Sequence, residues 1–138
     1  MKKIYLDSNV FISLILQDFG KGFKLMYART DEFFEKCTGF QFIISCLFVE
    51  ESKRKTYYSL DELIAFFNER KISFILVFPC DGDSDLALRL VRQGMHYSDA
   101  LHAAFALRLK CDYLVTWNER DFELLEGKIK VVNPSHFL

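Results

Sequence analysis

Proline and glycine are scarce in this chain of 138 residues, which has two prolines and six glycines. That excludes collagen-like and linker-rich sequences, and the length suits one domain spanning residues 1–138. Net charge is nearly absent at −1, which argues against a strongly basic nucleic-acid-binding protein but leaves room for a local basic patch. No stretch approaches the roughly 18 uncharged residues that a membrane span needs. Met1-Lys2-Lys3 carries the charge of a signal peptide, but Asp7 interrupts the apolar run and no small-residue cleavage site follows Val10–Leu16. The expectation is a soluble, cytoplasmic chain without a membrane segment. The four cysteines, Cys37, Cys46, Cys80 and Cys111, form no C-x-x-C pair, and only three histidines accompany them. That spacing argues against a zinc site and for buried, reduced thiols.

What the chain does have is apolar mass: 51% hydrophobic residues, with phenylalanine occurring 15 times. A domain of this size buries roughly two-thirds of its unfolded surface. The core is therefore aromatic-rich, or part of the surface is apolar and meets a partner. Short apolar runs at Lys3–Leu6, Phe42–Ser45, Ile72–Phe78, Tyr113–Thr116 and Ile129–Val132 read as strands covered on both faces. Helical period marks the segments between them. Val10–Gln17 follows the capping residues Ser8 and Asn9, and Leu60–Arg70 follows Ser59 with Glu62 in its first turn. Phe23–Cys37 places Phe23, Tyr27, Phe33, Phe34 and Cys37 near one face, a stripe that suits either a partner or the core. Leu47–Lys55, Asp83–Gln93 with its stop at Gly94, Ser98–Lys110 and Glu119–Glu126 complete the set. Alternation of this kind implies a parallel sheet with helices on both faces, and a functional crevice beyond the carboxyl ends of the strands.

Acids recur at those ends. Asp7 closes the first strand, Glu50 and Glu51 follow the second, Asp99 opens an alanine-rich helix, and Asn118 and Asp121 follow Tyr113–Thr116. Each has an ordinary local explanation as a helix cap, a dipole partner or a solvated charge. Together they gather at one sheet edge. Two carboxylates about 5 Å apart repel by roughly 3 kcal/mol at an effective dielectric near 20. A cluster of four requires a cation, and all-oxygen ligands favour Mg²⁺ or Mn²⁺ over zinc. Such ions activate water and stabilise charge on a transferring phosphate, so metal-dependent phosphodiester hydrolysis follows naturally.

Four stretches now resemble the PIN-domain ribonucleases of the VapC toxin type, over nearly the whole chain. They are Ile4-Tyr5-Leu6-Asp7-Ser8-Asn9-Val10; Ile43-Ile44-Ser45 followed by Glu51; Tyr97-Ser98-Asp99-Ala100-Leu101-His102-Ala103-Ala104; and Asp112-Tyr113-Leu114-Val115-Thr116-Trp117-Asn118 with Asp121-Phe122. The resemblance implies a three-layer α/β/α sandwich with a central parallel sheet and a Mg²⁺- or Mn²⁺-dependent endoribonuclease acting on single-stranded RNA. It puts catalytic and metal-binding roles on Asp7, Glu51, Asp99 and Asp121. Asn118 stands where many members have Asp, and Asn9 and Thr116 resemble polar positions that orient acids or water. It also implies a small antitoxin partner and a homodimer.

RNA needs positive charge near the cleft, which Lys53-Arg54-Lys55 supplies, and Trp117 offers a ring for an unpaired base. His102, one turn after Asp99, reads as a packing or hydrogen-bonding residue, and His96 and His136 as loop and tail residues. The alternative reading is a catalytically weak PIN-like RNA-binding or scaffold protein, with Asn118 marking an eroded site. A phosphorylated receiver-like module lacks a lysine after Ile129–Val132, and a haloacid-dehalogenase-type phosphatase would need Asp-x-Asp where this chain has Asp7-Ser8-Asn9.

Overall fold

The apolar runs rich in β-branched and aromatic residues assemble as a sheet. The computed structural model describes residues 1–17 and 26–138. In them, five parallel strands pair in the order β3-β2-β1-β4-β5. They are β1 (Lys3–Leu6), β2 (Gln41–Ser45), β3 (Ser73–Val77), β4 (Tyr113–Val115) and β5 (Lys130–Val132). The helices are α1 (Ser8–Ile15), α2 (Met26–Lys36), α3 (Cys46–Thr56), α4 (Leu60–Glu69), α5 (Asp83–Arg92) and α6 (Tyr97–Arg108).

Alternation along the strands divides the core into two layers. Ile4 and Leu6 of β1, with Phe42 and Ile44 of β2, pack with residues of α1 to α4. Tyr5 and Ile43 point the other way, toward α5 and α6. The result is the three-layer α/β/α arrangement. The first layer is aromatic: Phe11, Phe33, Phe34, Phe42, Phe48 and Phe67 are fully buried. Ring centroids lie 5.2 Å apart for Phe33 and Phe34 and 5.9 Å apart for Phe11 and Phe48. Such pairs contribute roughly 0.5–1.5 kcal/mol each beyond their burial. Phe33, Phe34 and Cys37 therefore serve the core; Phe23 of the same expected stripe lies outside the described residues. In the second layer the buried Ala100, Ala103, Ala104 and Ala106 let α6 lie against Tyr5, Ile43 and Leu114.

Some local expectations give way to tertiary structure. β3 is an edge strand with Ser73 and Ile75 exposed, so it is not covered on both faces. α1 begins at Ser8, so Ser8 and Asn9 are helical residues rather than caps. Glu119–Leu125 forms a 3₁₀ segment kinked at Phe122 instead of an α-helix. The Ser59–Glu62 capping box does form. α5 ends at Arg92, and the chain then turns through Gly94 at φ +115°, a conformation that favours glycine. Cys37 and Cys111 are buried thiols, pushed up by that burial to about 11 and about 12, whereas Cys80 is exposed. Among the described residues no helix is long and apolar enough to cross a membrane.

The strand order reverses direction around β1, with β2 and β3 on one side and β4 and β5 on the other. In such sheets the crevice opens where the order reverses, beyond the carboxyl ends of the strands. Asp7 sits there, its backbone N–H donating to Val115 O at 3.0 Å.

Candidate metal centre

Asp7 occupies the N-cap position of α1 with extended backbone (φ −77°, ψ 143°), yet its side chain caps nothing. It is 6% exposed and turns instead toward β4. Its Oδ2 accepts a hydrogen bond from Thr116 Oγ1 at 2.8 Å. Thr116 Oγ1 in turn accepts from Asn9 Nδ2 and from the backbone N–H of Asn118, each at 3.0 Å. Asn9 Oδ1 accepts from the backbone N–H of Trp117 at 3.1 Å. Thr116 thus holds one oxygen of Asp7 while Asn9 holds Thr116, and together they tie the end of β4 to α1.

Glu51 reaches the same place from α3, while Glu50 is exposed. Glu51 Oε1 accepts from Ser8 Oγ at 2.8 Å and from His102 Nε2 at 2.7 Å. His102 comes from α6 in the opposite layer and is 1% exposed. Its Nε2 also lies 3.7 Å from Asp7 Oδ1. Asp7, Glu51 and His102 each offer a ligand atom, and these atoms lie within 4.8 Å of one another. Two carboxylates and an imidazole at these separations fit a divalent cation.

Behind the imidazole runs a buried chain of hydroxyls. The Tyr5 hydroxyl donates to Ser45 Oγ at 2.9 Å and lies 2.5 Å from His102 Nδ1. Ser45 Oγ also accepts from the backbone N–H of Phe48 at 3.1 Å, as the cap of α3. Burial pushes the Tyr5 phenol well above its ordinary range, so it stays protonated.

The charges respond to this crowding. Burial raises Asp7, although His102 and the Thr116 hydroxyl pull the other way. Burial would also raise Glu51, but the hydrogen bond and charge of His102, with Ser8 and Arg54, outweigh it and lower the carboxyl. Burial would lower His102, yet its bond to Glu51 and the charges of Asp7, Glu51 and Asp99 raise it. Asp99 is pushed up to about 6 by burial and then by the charges of Asp7 and Asp121.

The remaining expected residues surround this centre at different depths. Asp99, half-buried in the first turn of α6, lies outside the close group of Asp7, Glu51 and His102 but feels the charge of Asp7. It shares a hollow of about 360 Å³ with His96, Arg120 and the exposed Asp121. Asn118 enters the network through its backbone N–H, and its side chain is exposed. Arg54 and Lys55 line a second hollow, of about 210 Å³, with Ser8, Ile12 and Glu51; Lys53 is exposed on the same final turn of α3. Trp117 is half-buried, and its indole N–H donates to Thr30 Oγ1 at 3.0 Å. His102 does form hydrogen bonds, but its bond to Glu51 makes it a member of the charged group. The signal for that was its i, i+3 spacing from Asp99, which puts both on one side of a helix.

No protein-family model matches the chain, and no curated protein matches its sequence. Solved structures do share its fold. VapC20 of Mycobacterium tuberculosis, a sarcin–ricin loop cleaving toxin, matches 93% of this chain and 98% of its own, with TM-score 0.64 and 10% identity. VapBC2 from Rickettsia felis, bound to a DNA fragment from their promoter, matches over 95% of this chain and 98% of the other, with TM-score 0.56 and 19% identity. At these identities the likeness is one of fold, and the chain has the PIN-like fold of the VapC type.

Proposed function

We propose that this chain is a Mg²⁺- or Mn²⁺-dependent endoribonuclease that hydrolyses phosphodiester bonds of single-stranded RNA, acting in the cytoplasm as the toxin of a toxin–antitoxin pair. The observation that carries the reading is the pair of carboxylates at the carboxyl end of the central strand. Asp7 is buried, Glu51 is half-buried, and each has one oxygen held by a hydroxyl, from Thr116 and Ser8 respectively. Both fold neighbours carry Vap names, and one is a sarcin–ricin loop cleaving toxin.

In this reading Asp7, Glu51 and Asp99 hold the cation, with Asp121 joining from the exposed side. When bound, such a cation activates water and stabilises charge on the phosphate under attack. The protein's own contribution is positioning. Thr116 and Asn9 fix Asp7, Ser8 fixes Glu51, and Arg54 and Lys55 bring positive charge to the hollow beside Glu51. Lys53 extends that patch, Trp117 offers the rim of its ring to a base, and Asn118 supports the loop that carries Asp121. The partners are RNA, a small antitoxin and a second copy of the chain.

The test is cleavage of a single-stranded RNA with Mg²⁺ or Mn²⁺ and with EDTA, run beside Asp7→Asn and Asp99→Asn. The expected result is metal-stimulated cleavage that EDTA and each variant abolish, with the circular-dichroism spectrum unchanged. Full activity in both variants overturns the assigned roles. Induced expression in a bacterial host tests the toxin role: wild type arrests growth and Asp99→Asn does not.

A further inference from the structure

We propose that His102 is a direct ligand of the cation through Nε2, so that this is a mixed nitrogen–oxygen centre that binds first-row transition ions such as Mn²⁺ in preference to Mg²⁺. The inference rests on the metal-dependent reading above and deepens it. An all-carboxylate site is indifferent to this distinction, because oxygen ligands suit Mg²⁺ and Mn²⁺ alike, whereas imidazole favours transition ions.

Three features of the geometry point to ligation. The first is separation. Neighbouring ligands of an octahedral ion with bonds of about 2.1 Å stand about 3 Å apart, and opposite ones about 4.2 Å. His102 Nε2 lies 2.7 Å from Glu51 Oε1 and 3.7 Å from Asp7 Oδ1. The second is which nitrogen faces the acids. The Tyr5 proton goes to Ser45, so the Tyr5 oxygen accepts and His102 Nδ1 carries a hydrogen. That leaves Nε2, whose hydrogen points to Glu51 Oε1 at 2.7 Å, as the nitrogen that faces the acids, and a metal bound there takes the place of that proton. A ligating histidine that donates its other N–H to a fixed acceptor is the usual outer-shell arrangement, and it sets the ring's orientation. The third is burial. The imidazole is 1% exposed and is wedged between the sheet and α6, with its ring edge-on to Tyr5 at 5.6 Å. A packing histidine would be satisfied by Tyr5 alone, without its second nitrogen entering a group of carboxylates.

The test uses the full chain and Mn²⁺ itself. Calorimetry with Mn²⁺ and Mg²⁺ gives the two affinities, and pulsed electron paramagnetic resonance of the Mn²⁺-loaded protein detects a ligated imidazole by its ¹⁴N modulation. The wild-type protein should show that modulation and bind Mn²⁺ at least about 10-fold more tightly than Mg²⁺. His102→Gln should lose the modulation and about 10-fold in Mn²⁺ affinity, while Mg²⁺ affinity changes little. His96→Ala controls for the exposed histidine beside Asp99 and should keep both. The wild-type spectrum decides the matter even where a His102 variant fails to fold. Saturable Mn²⁺ binding without ¹⁴N modulation overturns the ligand assignment and leaves the metal-dependent reading standing. Modulation that vanishes in His96→Ala overturns it as well. Absence of saturable binding of either ion overturns the metal-dependent reading and this inference with it.

Discussion

Glu51 Oε1 and His102 Nε2 stand 2.7 Å apart although they come from opposite layers of the sandwich, α3 on one face of the sheet and α6 on the other. They meet beside Asp7, the residue that follows β1. The pair therefore links the two layers through charge as well as through the sheet. Asp7, 3.7 Å from the same nitrogen, makes a second carboxylate dependent on it.

This arrangement fixes how stability responds to pH in the metal-free protein. Asp99 is raised from 3.8 to about 6, so between those values the folded chain holds a proton that the unfolded chain has released. Stability then falls as pH rises through that window. His102, raised above 6.5, acts in the same direction: its contribution is full below 6.5 and is lost as pH rises through the folded value. Glu51, lowered from 4.5, acts oppositely, and its contribution is lost only in stronger acid. The thermal midpoint measured in EDTA should rise from about pH 8 to about pH 5.5 and turn down below about pH 4. Mn²⁺ reverses the trend because its ligands must lose protons, so the increase in midpoint that it produces should grow toward pH 8. A metal-free midpoint that is flat from about pH 5.5 to 8 would show that these groups are not coupled in the folded state.

The cations beside Glu51 lead to a kinetic prediction. Arg54 and Lys55 border the hollow that Glu51 and Ser8 also line, yet neither touches Asp7 or His102 in any hydrogen bond or ion pair found among the described residues. The double substitution Arg54→Gln with Lys55→Gln should therefore raise KM for RNA about 10-fold and leave kcat within about twofold. On a single strand, each phosphate that a cation neutralises adds about 0.7 to the slope of log affinity against log salt, so removing two cations should lower it by about 1.4. An unchanged slope in a binding titration would remove these residues from the RNA path.

Much of this is legible in the sequence. The strands announce themselves as short apolar runs, and Asp7 as the acid closing one of them. The Ser59–Glu62 box is readable because it is entirely local. Ser8 and Asn9 mislead for the complementary reason. As isolated residues they are good caps, but their partners, Glu51 and Thr116, lie 43 and 107 positions away and become visible only when β1, α3 and β4 converge. The choice between Glu50 and Glu51 turns on helical phase, where one residue is about 100° of rotation. His102 hides in an alanine-rich face that reads as core. Glu119–Leu125 takes a 3₁₀ form kinked at Phe122, a departure that helical propensity does not report.

One residue next to the centre is worse than it needs to be. Ser52 is fully buried on α3, and its Oγ has no hydrogen-bond partner among the described residues. An unpaired buried hydroxyl costs about 1–3 kcal/mol, and serine is also a weaker helix former than alanine. Ser52→Ala should stabilise the protein by about 1 kcal/mol, seen as a higher urea midpoint with an unchanged m-value. Mn²⁺ affinity should stay at the wild-type value, since Ser52 makes no bond to Glu51. A lower midpoint would mean that the hydroxyl serves a packing role that the methyl cannot fill.

Thr116 tests whether the support beneath Asp7 matters to the metal or only to the fold. Its hydroxyl donates to Asp7 Oδ2 and accepts from Asn9 Nδ2 and the Asn118 N–H, and the residue is fully buried. Thr116→Val keeps the volume but leaves all three groups short of a partner, at a cost of about 2–3 kcal/mol in urea unfolding. Losing that donor also lets the burial-driven rise of the Asp7 carboxyl go further, because the Thr116 bond holds it down. Mn²⁺ affinity should therefore fall about 10-fold, and the loss should be larger at the lower of two pH values, where protons compete more strongly with the cation for Asp7. Thr116→Ser restores the hydroxyl and should restore affinity at both pH values, even if the missing methyl costs some stability. Calorimetry of the two variants at the two pH values separates the outcomes. If Thr116→Val binds Mn²⁺ as wild type does at both, the hydroxyl supports only the loop between β4 and the 3₁₀ segment, and Asp7 holds its geometry without it.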